Sequence, residues 1–134
     1  MIRTLLALIL LMQAWSGLHA QTAADSIRRM HKKSPVPSID TGVASYYHGK
    51  FQGRLTASGE LYDQEKMTAA HNRLPLGTKI KVTNLRNKRS VIVKVNDRLH
   101  HRNTRLVDLS RAAAARLGYI GRGITRVKVE VLKD

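Results

Sequence analysis

Lys79-Ile80-Lys81-Val82-Thr83-Asn84 and, after a short polar link, Ser90-Val91-Ile92-Val93-Lys94-Val95 are the stretches whose reading decides the fold. In the first, Ile80 and Val82 alternate with Lys79, Lys81 and Thr83, the period of a strand with one buried face and one basic, wet face. The second is rich in β-branched residues and ends abruptly in Asn96-Asp97-Arg98. The link Leu85-Arg86-Asn87-Lys88-Arg89 supplies a hairpin turn, with Asn87 expected at the position of positive φ that asparagine tolerates.

Working outward from this hairpin, residues 125–132 repeat the pattern, with Val127, Val129 and Val131 set against charged neighbours. Residues 42–47 and 105–109 read as two further strands, and residues 48–54, with two glycines, read as a loop. Residues 64–71 have helical composition (Glu65, Lys66, Met67, Ala69, Ala70), stopped by the segment from Asn72 to Gly77. A second helix is predicted over 111–117, with Ser110 as its N-cap and Gly118 as its C-terminal stop. Five or six short strands and two short helices make a mainly β chain whose edges are best hidden by closure into a small barrel.

The chain has 134 residues, 24 Lys and Arg against 9 Asp and Glu, and no cysteine. That length accommodates one domain of about 95 residues once an N-terminal leader and linker are set aside. Without cysteine there is no disulfide framework, no thiolate nucleophile or metal site, and no cysteine to carry a lipid anchor. Residues 1–20 combine basic Arg3, an apolar run from Leu5 to Met12 and small residues ending at Ala20, the pattern of a cleavable export signal. Residues 21–40, basic and containing Pro35 and Pro37, read as a tether, and 41–134 as the domain. The expectation is a periplasmic or secreted protein with no stable membrane insertion after cleavage. A formal net charge of +15 favours anionic partners. An exported protein meets cell-wall polymer before nucleic acid, so no nucleic-acid role is expected.

Few groups are available for acid/base chemistry. Asp25, Asp40 and Asp134 lie in the tether or at the terminus, and Glu130 sits on a charged strand face. Glu60, Asp63, Glu65, Asp97, Asp108 and His71 remain. Asp97 has two readings: an Asx-type turn leaving the strand, or a general acid aimed into a groove from a strand end. Glu60 and Asp63 equally suit a turn and a helix cap, His71 a helix C-terminus, and Asp108 the start of the second helix. Tyr46 and Tyr47 suit either a core or a stacking platform. His100-His101 lacks a second ligand pair at metal spacing, so neither a metal nor a cofactor is expected.

The ordered set is more specific than any member. Gly42-Val43-Ala44-Ser45-Tyr46-Tyr47, the run from Phe51 to Glu60, Tyr62-Asp63, Thr68-Ala69-Ala70-His71, Leu74-Pro75-Leu76-Gly77-Thr78, Val82-Thr83-Asn84, Val95-Asn96-Asp97-Arg98 and Val107-Asp108-Leu109-Ser110 together resemble the rare lipoprotein A (RlpA)-like septal lytic transglycosylases. The resemblance implies a six-stranded double-psi β-barrel and peptidoglycan glycan strands as the partner. The implied reaction is endolytic cleavage between N-acetylmuramic acid and N-acetylglucosamine, leaving a 1,6-anhydro end. By the same resemblance Asp97 is the catalytic acid. Glu60, Asp63 and His71 join it as catalytic-site residues, while Ser45, Tyr47, Asn96 and Arg98 contact substrate. The family usually continues Asn-Asp-Arg with Gly-Pro-Phe, where this chain has Leu99-His100-His101, so the wall beside Asp97 differs. A non-catalytic, expansin-like wall-binding or wall-loosening module is the alternative on the same barrel.

Overall fold

The computed structural model describes residues 37–133. Residues 1–36, which carry the expected export signal and most of the expected tether, lie outside the described residues. Six strands, β1 (Ile39–Tyr46), β2 (Thr68–Ala70), β3 (Lys79–Asn84), β4 (Ser90–Asp97), β5 (Val107–Leu109) and β6 (Thr125–Val131), close into a barrel in the order β1-β5-β2-β4-β3-β6. Among the described residues one helix, α1 (Arg111–Leu117), leads from β5 toward β6, and a single 3-10 turn spans Gly49–Phe51. β1 begins two residues earlier than the domain boundary read from sequence, because Ile39 and Asp40 pair with Glu130 and Val129 of β6.

The hairpin forms as its alternation requires. Ile80 pairs with Val93 and Val82 with Val91, and all four are buried, while Lys79, Lys81 and Ile92 face out. Asn87 does not take the positive φ; Lys88 does, at 65°. Asn87 instead accepts from Arg89 N through Oδ1 and donates to Leu117 O through Nδ2, tying the turn to the end of α1. Asn84, 2% exposed, donates to the same carbonyl and accepts from Thr125 Oγ1, so hairpin, helix and β6 meet at one hydrogen-bonded point.

Residues 64–71 are the main correction. They form a turn and then β2, three residues long and buried throughout, which runs parallel to β4 and antiparallel to β5. Helix-favouring composition there yields to position: a central strand satisfies its backbone groups on both sides, and small Ala69 and Ala70 let neighbouring chains approach. The barrel therefore carries one α-helix and a 3-10 turn rather than two helices. α1 ends as expected, with Ser110 Oγ accepting from Ala113 N, and Gly118 at φ 77° donating to Ala114 O and Ala115 O.

The core is filled by Ile80, Val82, Val93, Val95, Val107, Leu109, Leu117, Val127 and Tyr119. Full burial of such side chains is worth about 1.5–3 kcal/mol each. β1 and β5, and β2 and β4, are parallel pairs, which a hairpin cannot connect. The crossovers bring the ends of β1, β2, β4 and β5 together at one mouth of the barrel.

Candidate active site

Asp97 is the last residue of β4 and sits at that mouth. Ala69 pairs with Val95, but Ala70 pairs with Asp97, so β4 carries one extra residue, Asn96, opposite β2. This bulge leaves Asn96 3% exposed. Of the expected substrate contacts, Asn96 is thus buried outside the groove lining.

Asp97 Oδ1 accepts from Ala57 N at 2.9 Å and from Arg98 N at 2.8 Å. Oδ2 accepts from the Tyr47 hydroxyl at 2.6 Å. The Tyr47 ring is stacked on Tyr62 (centroids 4.3 Å, 14°) and meets Phe51 edge-on (5.9 Å, 86°). Burial and then the Asp97 hydrogen bond hold the Tyr47 phenol above its ordinary pKa, so it remains a donor. Tyr62 in turn accepts from Arg111 N at the start of α1, linking the helix to the ring that donates to Asp97.

The groove around Asp97 has a volume of about 650 Å³. Its walls come from the 3-10 turn and its flanks (His48, Lys50, Phe51, Arg54) and from the segment after β4 (Arg98, Leu99, His100). Of the Leu99-His100-His101 stretch, Leu99 and His100 therefore form part of one wall. Leu99 is buried and anchored by its N–H to Asn72 Oδ1, while Arg98 donates to His71 O at 2.6 Å and still lines the groove.

Asp108 lies in the same groove. Its carboxylate takes both nitrogens of the Arg105 fork, at 2.9 and 3.1 Å, and the Ser45 hydroxyl at 2.6 Å. Ser45 thus engages Asp108, and its carbonyl accepts from Tyr119 Oη. Sequence reasoning assigned Asp108 to the helix start; its alternation with buried Val107 and Leu109 was the available sign that it faces away from the core. Lys50, Phe51 and Arg54 were also missed as a wall, because nothing local to a glycine-flanked loop says which barrel end it covers.

Glu60, Asp63 and His71 do not line the groove around Asp97. Glu60 pairs with Lys94 at 3.0 Å, which lowers its pKa, and closes the loop whose Ala57 N–H grips Asp97. Asp63 Oδ1 accepts from Glu65 N in a turn. His71 is 2% exposed, and its Nδ1 accepts from Arg73 N and Leu74 N. Burial, with Arg73 adding to it, lowers its pKa to about 4. Its imidazole borders a separate cleft with Asp40, Asn72, Arg73 and Asn103, next to an Arg73–Asp40 ion pair. Its backbone, however, reaches the Asp97 main chain, since His71 N donates to Asp97 O at 3.1 Å. Among the described residues no group of three or more His, Asp or Glu is placed to hold a metal ion.

A family model described as "Lytic transglycolase" matches residues 39–129. The chain is 53% identical over 92 residues to the endolytic peptidoglycan transglycosylase RlpA of Pasteurella multocida, a match covering 69% of this chain and 31% of that protein. It is 56% identical over 89 residues to the RlpA of Pseudomonas aeruginosa, covering 66% and 26%. The chain thus spans about a quarter to a third of the length of these relatives. Among solved structures, the fold is similar to the Streptomyces papain inhibitor (TM-score 0.60, 23% identity, 75% of this chain and 100% of that one). It is also similar to the apo expansin of Clavibacter michiganensis (TM-score 0.57, 25% identity, 72% and 51%).

Proposed function

The chain belongs to the lytic transglycolase family of double-psi β-barrels, and from that premise we propose that it cleaves peptidoglycan glycan strands endolytically by non-hydrolytic transglycosylation. The observation that carries this reading is the Tyr47–Asp97 hydrogen bond at the floor of an open groove. Two backbone N–H groups occupy Oδ1, so Oδ2, touched by one hydroxyl, is the oxygen that exchanges a proton.

Protonated on Oδ2, Asp97 gives its proton to the glycosidic oxygen as the bond from muramyl C1 breaks and positive charge develops on the sugar. Tyr47 then donates to the carboxylate being formed, a charge-assisted bond that is stronger in the transition state than before it. The muramyl C6 hydroxyl attacks C1, its proton returns to Asp97, and a 1,6-anhydro ring closes. The proton balance is restored and no water is consumed.

In this reading Glu60 and His71 act on Asp97 rather than on the sugar. Glu60, through Lys94, holds the loop that supplies Ala57 N–H; His71, through its backbone, fixes the end of β4. Asp63 shapes the turn leading into β2. The substrate lies outside the cytoplasm, which agrees with the export signal read in residues 1–20, and we place the reaction in the envelope or outside the cell.

Incubating the protein with isolated sacculi and analysing the soluble fraction by mass spectrometry tests the proposal. Anhydro-muropeptides are expected from the wild type and not from Asp97→Asn, whose Oδ1 keeps both backbone contacts, so its unfolding midpoint stays near that of the wild type. Sedimentation with sacculi but no anhydro product would replace the reading with a non-catalytic wall-binding module.

A further inference from the structure

We propose that Lys50 and Arg54 form a carboxylate-reading subsite beside Asp97, which takes a free carboxylate carried by the muramyl residue of the substrate. The inference rests on the glycan-cleaving reading above and names the substituent that the groove selects.

Charge in the groove is not balanced. Lys50, Arg54, Arg98 and Arg105 line it, against Asp97 and Asp108. Arg105 is committed to Asp108, and Arg98 donates to the His71 carbonyl. Among the described residues the remaining ion pairs are Arg73–Asp40, Lys94–Glu60 and Lys128–Glu130, so Lys50 and Arg54 have no acidic partner there. Both instead gather on one ring: Lys50 Nζ lies 5.3 Å and Arg54 Cζ 5.5 Å from the Phe51 centroid. Each contact is a favourable cation–π interaction, and an anion entering the groove meets two positive charges that no carboxylate compensates.

The arrangement is built rather than incidental. His48 Nδ1 caps the 3-10 turn at Lys50 N, Phe51 N and Gln52 N donate to His48 O and Gly49 O, and Arg54 N donates to Phe51 O at 3.0 Å. Gly53 N donates to Tyr62 O, which fixes the turn against the ring stacked on Tyr47. Phe51 stands edge-on to Tyr47 at 5.9 Å, so the paired cations sit one aromatic ring beyond the group that holds the acid. A muramyl residue positioned for attack at C1 carries its C3 lactyl substituent about one sugar-ring width away. A peptide-free strand presents the lactyl carboxylate itself; a peptide-bearing strand presents carboxylates of the stem. A neutral glycan presents neither.

The test compares three soluble strands: peptide-free, peptide-bearing, and peptide-free with the lactyl carboxylates converted to methylamides. Binding is measured with the full chain carrying Asp97→Asn, and cleavage with the wild type, so that failure of cleavage overturns the proposed reaction while binding still judges the subsite. On amidation affinity is expected to fall about tenfold and KM to rise about tenfold, the size of one charge-assisted contact. Lys50→Gln with Arg54→Gln should abolish that difference. Lys79→Gln with Lys81→Gln, which removes equal charge from the outer face of β3, should preserve it. Tighter binding of peptide-free strands assigns the lactyl carboxylate, and tighter binding of peptide-bearing strands the stem. Equal binding of free and amidated strands, or equal loss in the two double variants, overturns the subsite.

Discussion

Replacing Tyr47 with phenylalanine removes one hydroxyl and keeps the ring, so it isolates the contact on which the proposed chemistry turns. The stack on Tyr62 at 4.3 Å and the edge contact with Phe51 remain available to phenylalanine. Asp97 Oδ1 keeps both N–H donors, so the carboxyl group stays aimed. What is lost is a 2.6 Å hydrogen bond to Oδ2 from a phenol that burial keeps protonated. A hydrogen bond to a charged group contributes about 1.5–3 kcal/mol. With the carboxylate fully formed at the transition state, that corresponds to a fall in kcat of about 10- to 150-fold, each 1.36 kcal/mol being tenfold. Because the bond strengthens only as Asp97 loses its proton, KM on soluble glycan strands should change by less than about twofold. Steady-state kinetics on such strands, with thermal unfolding followed in parallel, provides the assay. An unchanged kcat, or a KM increase that alone accounts for lost activity, would refute the role given to Tyr47.

Two further perturbations probe the scaffold. His71 has a folded pKa of about 4 against about 6.5 unfolded, so below pH 6.5 the unfolded chain binds a proton that the folded one refuses. Stability is therefore lost as pH falls from about 6.5 to 4, by roughly 3 kcal/mol; His71→Asn, whose Oδ1 can accept the same Arg73 and Leu74 N–H groups, should flatten that part of a urea-unfolding series, and parallel curves would sink the idea. At Gly118, φ is 77° and an added Cβ would meet Arg89 Nη1 at 3.0 Å, so Gly118→Ala should cost about 1–2 kcal/mol, read as a lower unfolding midpoint; an unchanged midpoint would remove the left-handed cap from the account of α1.

What was legible in the sequence was what local periodicity governs. The β3–β4 hairpin announces itself because Ile80 and Val82 alternate with polar neighbours and Val91, Val93 and Val95 keep the same two-residue period, and α1 because Ser110 and Gly118 mark both ends. β2 was illegible for the opposite reason: three residues are too few for a period, and their burial is decided by β4 and β5, which come later in the chain. The same holds for the site. Asp97 stands at the end of a readable strand, whereas its partner Tyr47 lies 50 residues away and meets it only through the crossover pairing of the barrel. His71 shows the limit of reading by motif. It stands immediately after β2, its main chain tied to Asp97 while its ring borders another cleft, a division no residue type announces.

The extra residue in β4 separates two kinds of information. Val91, Val93 and Val95 specify the core by counting in twos, and that count is complete before Asn96 is reached. Asp97 pairs with Ala70 at the mouth only because one more residue stands between it and Val95 than β2 matches. Shortening the strand there by a single residue would leave every core valine in register and turn the carboxylate to the opposite face. The barrel is written in a spacing pattern that tolerates substitution, while its chemistry is written in strand length, which does not.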